Sequence, residues 1–138
     1  MNAKLLKEIK RVISAKPERI AMGQWLAVFM DCDTVGCIAG WAAVLVRSKR
    51  RGYDEMAVEV LQDRRTTKEQ ARKALRLTHG QAERLFQVGE WPREFEERYV
   101  NLEWDRYNYN WTNAQLDRER ADCVCQRIDA FIESKGRA

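Results

Sequence analysis

Proline is nearly missing from this chain: Pro17 and Pro92 are the only two in 138 residues. With so few breakers and long stretches of Ala, Leu, Glu, Lys, Arg and Gln, helix is favoured. A long hydrophobic run is missing too. The apolar stretch 35–46 has 12 residues, whereas a membrane crossing needs about 20. The opening MNAKLLKEIKRVI has neither a long apolar core nor a cleavage site, so no signal peptide is expected. Cytoplasmic residence is the expectation, and with it four cysteines kept as thiols rather than a disulfide framework. No Gly-rich phosphate loop, internal repeat, low-complexity tract or interdomain linker is present, and no Asp/Glu pair sits in a recognisable catalytic frame. The single histidine, His79, leaves any nucleophile one candidate imidazole base.

What is present is organised around TVGCIAGWAAVLV. From 35 to 46 no side chain is charged or amide-bearing, in a chain where 33% of residues are charged. That predicts a buried central helix at about 34–47, capped by Asp33 or Thr34. Gly36, Ala39, Gly40 and Ala43 give it one nearly bare face, which lets another element or a ligand approach the backbone. Ile38, Trp41, Leu45 and Val46 occupy the opposite side.

Around it the spacing predicts an all-α fold, one compact domain over 1–138 with five to seven helices. Leu5, Leu6, Ile9, Val12 and Ile13 form a first stripe. Lys16-Pro17 ends that helix and opens a short second one, after which Ile20, Trp25, Leu26, Val28 and Phe29 supply core. Residues 54–63 fit helix or strand and are read as helix. Thr66 to Glu69 and Thr78 to Gln81 are capping boxes, so two helices meet at a short turn. Trp91-Pro92 starts another, with Phe95 and Tyr99 inward. Tyr107, Tyr109 and Trp111 alternate with Asn108 and Asn110, which predicts an extended segment near 106–111. Ala121, Val124, Ile128 and Phe131 stripe the last helix, and the tail 134–138 is expected to fray.

The segment CDTVGCIAGWA at 32–42 resembles a C-G-T-x-x-C-I-A-G-W/H-A signature of a family of small uncharacterised bacteriophage and bacterial proteins. Its continuation is matched by Leu77-Thr78 with Gln81-Ala82 and Leu85-Phe86. Trp91-Pro92 with Phe95 follows, then Arg127-Ile128-Asp129 with Phe131-Ile132. The likeness covers roughly 20–133 in pieces. Asp33 and Arg76 stand where the family has glycine, and 101–113 resembles an insertion. The resemblance implies a compact helical fold and a phage or mobile-element setting in the cytoplasm of a bacterial host. It carries no activity.

Function is therefore read from surfaces. The leading expectation is a non-enzymatic accessory protein that binds a host protein or small ligand, through Trp104, Tyr107, Asn108, Tyr109, Asn110 and Trp111 or the signature residues Cys32, Thr34, Gly36, Cys37, Gly40 and Trp41. Aromatic rings with neighbouring amides suit a base, a sugar or a partner protein. The alternative is nucleic-acid binding. Residues 67–88 have a helix-turn-helix outline with a recognition helix at 79–88, and Arg47, Lys49, Arg50, Arg51, Arg72, Lys73 and Arg76 would contact phosphates. Charge placement allows this: residues 1–76 carry 16 Lys/Arg against 9 Asp/Glu, and 77–138 carry 9 against 12. A third class is a thiol enzyme using Cys37 in a first helical turn. Cys32/Cys37 and Cys123/Cys125 lack the spacing of a structural zinc site. No cofactor, metal or membrane partner is expected, and no oligomeric state is assigned.

Overall fold

The first helix, α1 (Ala3–Ala15), forms as its stripe predicts: Leu5, Leu6, Ile9, Val12 and Ile13 are all buried. Asn2 caps it, its side chain accepting from the Leu5 N–H at 3.1 Å. The Asn2 N–H donates to the Leu75 carbonyl at 2.7 Å, which fastens the start of the chain to the middle. The structure, a computed structural model, describes residues 1–29, 32–47, 52–109 and 114–138. After α1 comes a 3-10 turn (Pro17–Arg19) opened by its proline, then an antiparallel hairpin of β1 (Leu26–Phe29) and β2 (Cys32–Gly36). The helices α2 (Ile38–Leu45), α3 (Tyr53–Gln62), α4 (Thr67–Leu75), α5 (His79–Phe86), α6 (Arg93–Tyr109) and α7 (Ala114–Glu133) follow. A second 3-10 turn, Val88–Glu90, precedes α6. The described residues thus form an all-α domain of seven helices with one two-stranded sheet, and no helix is long and apolar enough to cross a membrane.

The apolar stretch at the centre is divided between two kinds of structure. Every residue of α2 is buried, the pattern of a helix surrounded on all sides. It packs against α1, α3 and α4. The helix starts at Ile38, however, not at 34. Gly36 pairs with Leu26 and Val35 with Ala27 across the hairpin. Cys37 takes the N-cap place with extended backbone and no side-chain cap, so neither Asp33 nor Thr34 caps the helix. The Cys37 N–H donates to the Gln24 carbonyl at 2.8 Å instead of entering a helical ladder. The β-branched and aromatic residues of 26–29 and 34–35 favour a pleated pair. That pairing overrides the continuous apolar pattern. Val46 emerges exposed.

The small-residue face does admit a close approach, by main chain. A Cβ built on Gly40 would lie 1.9 Å from the Trp25 carbonyl oxygen, and one on Gly36 3.0 Å from it. The loop before β1 therefore sits directly on the start of α2, where only glycine leaves room. Trp41 is fully buried, donates its indole N–H to the Arg19 carbonyl at 3.0 Å and meets Tyr53 edge-on at 5.3 Å.

Between α4 and α5 the chain turns at Arg76, which adopts left-handed backbone (φ 54°) at the place where glycine is the residue without a Cβ penalty. Thr78 and Gln81 form a complete capping box, whereas Thr66 accepts from the Glu69 N–H and forms half of one. The extended segment expected near 106–111 is not found over 106–109: α6 continues through Tyr109, and Asn108 donates its amide back to the Trp104 carbonyl at 2.8 Å. Asn110 and Trp111 lie outside the described residues. An alternation of a few residues is too short to outweigh a helix held along α7 by Arg98 to Gln126 and Arg106 to Asp117. The tail is also tied rather than frayed. Gly136, in left-handed backbone, donates to the Phe131 carbonyl at 2.8 Å. Arg84 donates to the Gly136 carbonyl at 3.1 Å, and Arg127 to the Ala138 main-chain oxygen at 2.8 Å.

Candidate binding site

On α6, positions 100, 104 and 107 fall on one helical stripe and 99 and 103 on the adjacent one, because residues three and four apart are neighbours on a helix surface. The inner stripe is anchored. Tyr99 is buried against Trp91, ring centroids 5.5 Å apart, and its hydroxyl accepts from the Met22 N–H at 2.9 Å while donating to Glu103 Oε1 at 3.2 Å. Burial, reinforced by the Glu103 charge, pushes the Tyr99 phenol well above its usual range. The outer stripe is open: Trp104 is 63% and Tyr107 67% exposed. Across from them lie the loop at 22–25, with Trp25 44% exposed, and the segment Phe86 to Val88. Together these walls enclose an open groove of about 600 Å³.

The groove's floor is fixed by a chain of hydrogen bonds and ion pairs. Arg120 of α7, almost wholly buried, donates through Nη1 to Glu103 Oε1 at 2.5 Å and through Nη2 to Asp117 at 3.5 Å. Arg106 takes the same Asp117 oxygen at 2.8 Å. Two guanidiniums and two carboxylates alternate, and the groove end of the row is a carboxylate.

Of the residues singled out from sequence, the groove gathers Trp104 and Tyr107. Asn108 stays on the surface bonded to its own helix, and Tyr109 ends α6. Trp25, Val100 and Glu103 complete the site and were not singled out. The sequence places Trp25 among core residues, and the signal for Val100 and Glu103 is the helical spacing 99/103 beside 100/104/107, masked by the alternation that follows.

The signature residues are divided between the hairpin and the helix that follows it. Cys32, Thr34 and Gly36 lie in β2, and Gly40 and Trp41 inside α2. Cys37 donates its thiol to the Trp25 carbonyl at 3.6 Å, and burial pushes its pKa up, the reverse of an activated nucleophile. Burial also raises Cys123 and Cys125. Among the described residues no group of three or more His, Cys, Asp or Glu side chains gathers as metal ligands.

Two of the cationic residues, Arg47 and Arg72, are engaged within the fold. Arg47 binds Gln70 Oε1 at 2.6 Å and reaches Asp63 at 3.4 Å and Glu59 at 3.8 Å. Arg72 grips Glu69 with two bonds, 2.7 and 2.8 Å, and holds the Leu77 carbonyl at 3.0 Å. That grip keeps the Glu69 carboxyl down at about 2. Lys73 stands 3.8 Å from Glu69, and Arg76 is exposed at the turn. Lys49, Arg50 and Arg51 lie outside the described residues. The recognition-helix face is partly engaged: Gln81 and Arg84 donate to the carbonyls of Lys135 and Gly136, and Glu83 pairs with Lys68, while His79 and Gln87 are exposed.

No family model, curated protein or solved structure matches the chain.

Proposed function

We propose that this chain is a non-enzymatic binding protein that seats an apolar segment of a partner protein in the Trp25/Trp104/Tyr107 groove. One observation carries the reading. Three large aromatic side chains stand exposed around a single groove, while the core rings Trp41, Trp91 and Phe131 are closed away. Exposed apolar surface gathered in one place marks an interaction site, and Trp and Tyr are the residues that dominate binding energy there. A partly buried row of alternating charges holds α6 to α7 beneath it, so Trp104 and Tyr107 are presented on a fixed helix. The raised pKa of Cys37 and the engaged state of Arg47 and Arg72 count in favour of binding over thiol chemistry or phosphate contact. The likeness of 32–42 to phage proteins supports a bacterial host protein as the partner.

The test is a pull-down from bacterial host lysate, quantified by mass spectrometry, with the wild-type chain and a Trp104→Ala/Tyr107→Ala double variant. A protein retained by the wild type and lost at least tenfold from an equally folded double variant is the expected result. Identical retention by both chains overturns the reading.

A further inference from the structure

The groove is apolar on its walls and acidic at one point. Among the residues that line it, Glu103 is the one with a charged side chain. Its carboxylate is used unevenly. Oε1 accepts from both Arg120 and Tyr99, while Oε2 accepts from no described residue, and the side chain is 41% exposed. Arg120 is itself shared with Asp117, so one oxygen of this groove-lining carboxylate is held in place while the other has no bond to a described residue.

A partner that covers the groove must take that oxygen out of water. A purely apolar segment would strand an acceptor, which is costly, whereas a donor from the partner removes the penalty and a cationic donor does so best. The surroundings suit a basic side chain in particular. The long stem of Lys or Arg lies well on apolar surface, and indole and phenol rings attract its charge. Longer-range charge agrees: α6 carries five Asp/Glu against three Lys/Arg, and opposite charge on a partner speeds encounter.

We infer that the groove is selective for a basic residue: the ammonium or guanidinium of a Lys or Arg on the partner segment bonds to Glu103 Oε2, with its stem among Trp25, Trp104 and Tyr107. This rests on the groove being the partner site. Arg120 is a positioning residue for the carboxylate.

Three capped pentapeptides test it, acetyl-Ala-Phe-X-Leu-Ala-amide with X lysine, norleucine or glutamate, titrated into the full chain while the indole N–H signals of Trp25 and Trp104 are followed by NMR. Norleucine keeps the stem of lysine and omits its charge. The lysine peptide should bind about tenfold more tightly than the norleucine peptide, and the glutamate peptide most weakly. In Glu103→Gln, which keeps an acceptor for Arg120 and Tyr99, the ratio of lysine to norleucine affinity should fall below about twofold. Trp104→Leu, a change at an exposed position, should weaken the lysine peptide about threefold more than the norleucine peptide. If lysine and norleucine bind alike, the inference fails and the apolar groove stands. A lysine advantage that survives Glu103→Gln also overturns it. If no peptide moves either indole signal, the groove reading fails with it.

Discussion

On the α4–α5 hairpin the charged side chains largely face one another, whereas the outer stripe of α6 presents apolar and aromatic side chains to solvent. Lys68 pairs with Glu83 and Arg72 with Glu69, and Arg84 reaches the tail. Val100 and Trp104 stand open on α6. From sequence the hairpin was the more suggestive region, because cations beside a two-helix outline point to nucleic acid. In three dimensions Lys68, Arg72 and Arg84 are engaged within the fold, and the open surface of α6 is aromatic. A charge counts as a binding feature only after its internal partners have been accounted for.

Five substitutions sharpen that contrast. The largest effect is expected from Gly40→Ala, which drives a methyl group to within 1.9 Å of the Trp25 carbonyl oxygen. Because backbone must move, urea unfolding should show a loss of about 3 kcal/mol, with the Trp25 wall displaced and binding lost too. Next is Arg120→Leu, which removes the cation shared by Glu103 and Asp117. Unfolding should show a loss of about 2–4 kcal/mol, as when one partner of a buried charge set is deleted. The third is a crossed pair. Trp104→Ala should change stability by less than about 0.5 kcal/mol and weaken partner binding at least tenfold. Lys68→Ala should cost less than about 1 kcal/mol and leave binding unaltered. Equal effects of the two on binding would erase the distinction between the regions. The smallest effect concerns acid. Glu69 sits at about 2 in the fold because Arg72 bonds to its carboxylate, below its ordinary value of 4.5. Its contribution is complete above pH 4.5 and is lost as pH falls through 2. A stability–pH curve of Glu69→Gln should be flatter over that window and lie closer to wild type at its acid end.

The helices were legible where an apolar stripe and a cap agreed. The stripe at Leu5 to Ile13, the box at Thr78 and the stripe through Val124 and Ile128 each predict a helix that forms. The hairpin was not legible, because an unbroken apolar run has no period by which to tell strand from helix. Its pairing with 26–29 is a tertiary fact. The groove was half legible. Trp104 and Tyr107 drew attention as rings in a polar stretch, for a reason the helix overturns. Trp25 and Glu103 join them from separate places in the chain, and only the packing of α6 on α7 and of the loop on α2 brings them together.

It is the carbonyl of Trp25, not its indole, that rests on Gly40. Any amino acid at position 25 would offer the same oxygen, so the anchor is indifferent to what the side chain does. Fold and recognition are thereby decoupled at this residue. A library randomised at 25 should keep this backbone contact in its folded members while they differ in what they hold, which makes the position a natural place to retune specificity.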